Sequence, residues 1–75
     1  MNDNLFRTLL KRYEAEIEDA HYKIDVICEQ NLVIPEHTDI TGEVDKLLQK
    51  ISATEGKLSA MRKYYGGKEA NKAIL

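Results

Sequence analysis

The chain has 75 residues, a formal net charge of −2 at pH 7 and a single cysteine. One cysteine excludes an internal disulfide, no dense Cys/His cluster suggests a structural zinc, and the charge balance gives no global pull towards nucleic acid or membrane. At roughly 1.5 kcal/mol of ordering entropy per residue, a single domain this short struggles to bury enough apolar surface, so self-association is the expected remedy.

The first element follows the opening "MNDNLFRTLL", which lacks a basic start followed by a long apolar run and is read as carrying no secretory signal. Phe6, Leu10, Tyr13, Ile17, Ala20, Ile24 and Ile27 are spaced alternately by 4 and 3. That is a heptad seam with Phe6 at d and Leu10 at a, and it predicts a helix over about residues 3–31. Within it, Glu18-x-x-His21 has the spacing of half a di-metal site in a helical bundle. Here Glu18 falls at b and His21 at e, flanking the seam, so the plain reading is a solvated rim pair. No metal or other cofactor is expected. His21 and Cys28 would lie about 10 Å apart along the helix axis, too far for a thiolate–imidazole pair.

The segment "NLVIPEHTDI" holds the only proline. Pro35 disfavours helix at Ile34 and removes a backbone donor, so a turn is predicted over about residues 32–39. The competing reading is one continuous kinked helix. Thr38, Asp39 and Thr41 are the candidate caps of the next helix, and Asp39, Glu43 and Asp45 suit the positive end of its macrodipole. Gly42 is tolerable in a first turn.

The second element repeats the first pattern. Ile40, Val44, Leu47, Ile51, Thr54, Leu58, Met61 and Tyr65 again alternate by 4 and 3, with Thr54 the polar exception. They predict a helix over about residues 40–65, stopped by Gly66-Gly67. Residues 68–75 are read as a tail. If the chain folds back near Pro35, facing residues have a constant sum of numbers. Ile27 with Val44, Ala20 with Ile51, Tyr13 with Leu58 and Phe6 with Tyr65 all total 71. The fold class is therefore all-α: an antiparallel, coiled-coil-like two-helix hairpin over residues 1–67. Leu9 and Tyr64 at g, Cys28 and Leu48 at e, and Leu5, Tyr22 and Val26 beyond them make the apolar surface broader than one hairpin needs. Pairing into a four-helix bundle or larger helical oligomer is expected.

Charge is uneven. Residues 1–13 and 57–75 carry a net +6 and residues 14–56 a net −8, so the hairpin has a basic open end and an acidic turn end. Arg7, Lys11, Arg12, Arg62, Lys63, Tyr64 and Lys68 form a basic, tyrosine-bearing group that suits phosphates or stacked bases. The plainer account is cations placed for the C-terminal dipole of a helix, beside seam tyrosines. There is no phosphate-binding glycine loop and no nucleophile–base set, and one hairpin makes no pocket, so an enzyme is not expected. The expected function is a non-enzymatic protein–protein interaction module: an adaptor, assembly factor or small inhibitor. Its expected partners are itself and a larger protein, met through Leu32, Val33, Ile34 and Leu48. The alternative is an anion binder for nucleic acid or a nucleotide at the open end. Cys28 suits a reducing compartment, and the longest aliphatic run, Leu32-Val33-Ile34, is far short of a membrane span. A cytoplasmic protein without a membrane partner is expected.

Overall fold

The computed structural model describes residues 1–29 and 39–67. Within them the chain forms two helices, α1 (Asp3–Glu29) and α2 (Ile40–Tyr65), packed against each other. The expected helical hairpin is the architecture, and the molecule measures 51 × 19 × 18 Å.

Local chemistry starts each helix. Asn2 caps α1: its side-chain oxygen accepts the Leu5 N–H at 2.8 Å and its carbonyl accepts the Phe6 N–H at 3.0 Å. Asp3 adds a negative charge where the macrodipole is positive. Of the candidate caps for α2, Asp39 takes the role. Its carboxylate accepts the Gly42 N–H at 2.9 Å and its carbonyl accepts the Glu43 N–H at 2.9 Å. Gly42 is more than tolerable there, because a β-carbon at this position would run into the Asp39 carboxylate. At the far end the Gly66 N–H donates to the Arg62 carbonyl at 3.1 Å, and Gly67 turns left-handed at φ +56°. A side chain is strained in that conformation, so glycine is the natural stop.

The core is thin. Among the described residues, only Ala20, Ile51, Thr54 and Met61 are buried. Ala20 and Ile51 belong to one predicted layer, and Ala20, 1 % exposed, is small enough to let the helices approach at mid-length. The remaining seam residues are half-buried, apart from Tyr65 at the last position, which is 57 % exposed. Two contacts between the helices agree with the constant-sum register. The Lys57 ammonium lies 5.9 Å from the centre of the Tyr13 ring. Phe6, Leu10 and Tyr65 line a common hollow at the open end. Thr54 is 2 % exposed, yet among the described residues no buried side-chain oxygen or nitrogen lacks a hydrogen-bond partner.

Candidate functional site

The open end brings the N-terminal turns of α1 beside the last turns of α2. Heptad spacing puts Arg7 and Arg62 at e positions on the same side of the seam, with Lys11 and Arg12 one turn further along α1. All four side chains, and those of Lys57 and Lys63, are in the exposed class. Among the described residues none of these six cations forms an ion pair. The two ion pairs lie in the acidic half, Asp19–Lys23 at 3.0 Å and Glu43–Lys46 at 3.7 Å. The open-end cations find other partners. Arg7 donates to the Asn4 side chain at 2.8 Å, and the Lys63 ammonium lies 5.2 Å from the Tyr64 ring centre. Lys57 lies over Tyr13 and so joins the aromatic end. Cation–π placement at this distance keeps the ammonium in water while its stem covers apolar surface.

Between the helix ends sits the hollow, about 400 Å³, lined among others by Asp3, Phe6, Arg7, Leu10, Tyr65 and Gly66. Its lining mixes apolar side chains with the Arg7 guanidinium, the Asp3 carboxylate and Met1 at the chain's amino end. That pairing of opposite charges does not make a cradle for a strongly anionic group. The hollow was not foreseen from sequence. Its only signal was that Phe6 and Tyr65 close the seam with no further layer beyond them.

Of the residues expected to meet a protein partner, Leu48 is described and is 52 % exposed. Leu32, Val33 and Ile34 lie outside the described residues, as does Lys68 of the anion-binding set. Tyr64 projects from α2 at 67 % exposure, and Leu5 and Tyr22 on α1 stand out at 47 % and 66 %. Leu9 is half-buried beside the seam, and Val26 is half-buried further round the same side of α1. Leu5, Leu9 and Val26 thus share one flank of α1, with Arg12, Glu16, Asp19 and Lys23 between them. Glu18 and His21 are both exposed, and among the described residues no three His, Cys, Asp or Glu side chains are grouped to hold a metal ion. Cys28 is a free, exposed thiol. No helix among the described residues is long and apolar enough to cross a membrane. No protein-family model matches the chain, and neither the curated proteins nor the solved structures hold a significantly similar one.

Proposed function

We propose that the chain is a non-enzymatic interaction module, a helical hairpin that associates with itself and presents the resulting bundle to a larger protein. The observation that carries this reading is surface. Among the described residues, Leu5, Tyr22, Leu48, Tyr64 and Tyr65 are large side chains left exposed, while only four residues are buried. A two-helix layer has a second face, and a four-helix bundle is the common way to cover it.

Sedimentation equilibrium over a range of concentrations tests the reading. The expected result is a dimer or larger species at micromolar concentration, with helicity that falls on dilution. A stable, fully helical monomer at all concentrations would overturn it.

A second reading, anion binding at the open end, draws on one observation: the six exposed cations there have no carboxylate partner among the described residues. Titration with single-stranded nucleic acid and with free nucleotides at two salt concentrations separates the two. Tight, salt-sensitive binding that Arg62→Gln with Lys63→Gln removes would favour the anion binder. The interaction module binds such ligands weakly, because the acidic half repels a long polyanion.

A further inference from the structure

The hairpin is bipolar in charge. Among the described residues, Arg7, Lys11, Arg12, Lys57, Arg62 and Lys63 at the open end stand against Asp3 alone, while residues 14–29 and 39–56 hold ten carboxylates and three lysines. The two ion pairs sit inside the acidic half and leave this separation intact. One flank of α1 crosses both regions. Leu5, Arg12, Asp19 and Val26 recur every seven residues, so they form one stripe along α1, at the c position of its heptads. The stripe reads apolar, cation, carboxylate, apolar. It is symmetric about a point between Ala15 and Glu16, about half a residue from the middle of α1 (Asp3–Glu29).

A surface of this kind is complementary to itself after a half-turn about an axis perpendicular to the helix. Leu5 of one copy comes level with Val26 of the other, and Arg12 comes level with Asp19. Asp19 already binds Lys23 through Oδ2, which leaves its second oxygen open to a further donor. The competing dimer, with both open ends at the same end, also keeps neighbouring helices antiparallel. It lays six cations over six cations and acidic half over acidic half, and like charges in register oppose association.

We infer that the occupant of the α1 flank is a second copy of this chain, docked with its open end over the acidic half of the first. The inference rests on the self-association proposed above and adds the face and the orientation. In the assembled bundle each basic end is matched by acidic groups of the other copy.

Cys28 allows a direct test on the natural chain, since it is the only cysteine and is exposed. A nitroxide attached there reports one distance per dimer. Cys28 lies twelve residues beyond the middle of α1, so opposed hairpins separate the two labels by about 35–40 Å along the axis, at 1.5 Å per residue. Hairpins with their open ends together hold the labels within about 25 Å, the width of a bundle of helices each ~10–12 Å across plus the labels. The expected result is the long distance. The short distance in a protein that still dimerises overturns the orientation while leaving self-association standing. A monomer overturns both.

Charge reversal gives an independent arm. Arg12→Glu and Asp19→Arg, each with helicity checked by circular dichroism, should weaken association by about tenfold or more at low salt. The double reversal should recover most of the loss. Two weakened single variants without recovery in the double variant would overturn the pairing of the α1 stripes. The association of the unaltered chain should also weaken as salt is raised, and strengthening with salt would contradict opposed hairpins.

Discussion

The two helices are almost equal in length, 27 and 26 residues, yet they are held in place differently. α1 is the more sharply two-faced of the pair, but buries only Ala20, whereas the less amphipathic α2 buries Ile51, Thr54 and Met61. Their ends differ too. α2 begins on the Asp39 cap with Glu43 in its first turn, and finishes on Arg62, Lys63 and a left-handed glycine. Each of these features favours its helix dipole or satisfies a terminal backbone group. α1 has its Asn2 cap and Asp3, but Arg7 follows within the second turn, and no basic residue occupies its last turn. α2 thus carries both the fuller set of helix-end devices and most of the buried core, while α1 carries the more sharply two-faced surface and leaves more of it uncovered.

Removing a buried side chain from α2 should break this arrangement most severely. Ile51→Ala should cost about 2–4 kcal/mol in urea unfolding, because the side chain is 6 % exposed in the central layer. The opposite change on α1, Ala20→Leu, should cost about 1–3 kcal/mol by overpacking a layer in which Ala20 is 1 % exposed. A neutral Ala20→Leu would mean that the layer can open, and that the thin core is less tightly specified than its burial implies.

The local devices of α2 should follow. Asp39→Ala should lower stability by about 1 kcal/mol through loss of the cap. The glycines sharpen the point. A β-carbon added at Gly56 would meet no atom within 4 Å, and the residue lies mid-helix, so Gly56→Ala should raise stability by about 0.5–1 kcal/mol. Gly42→Ala should fail to do so, since its β-carbon displaces the capping carboxylate and offsets the gain in helix propensity. Thermal melts of the two variants side by side would check this, and equal stabilisation would show that the cap contributes little.

A smaller effect would report on the flank of α1. Val26→Ala removes about two methylene equivalents from a half-buried position and should cost about 1 kcal/mol. If a second copy covers the flank, the loss should be larger where the oligomer is populated than in dilute monomer. The smallest single change should come from Arg62→Gln or Lys63→Gln taken alone, each an exposed cation worth about 0.3–1 kcal/mol against the helix dipole.

The hairpin was legible before any coordinates. The alternating spacing of 4 and 3 defines one apolar face per helix, and a constant sum centred near Pro35 leaves one antiparallel register. These follow from helical periodicity and chain reversal, which can be read from residue numbers. The bipolar charge and the basic open end were legible for the same reason, since charges on two folded-back arms sort by residue number. Other features needed the packed chain. Asp39 emerged from three candidate caps, because a cap depends on backbone geometry as well as residue type. Lys57 settled over Tyr13, because a long side chain selects among neighbours that heptad positions leave equivalent. Tyr65 stayed exposed although its seam position equals that of buried Ile51, because a side chain at the last layer has no next layer to cover it.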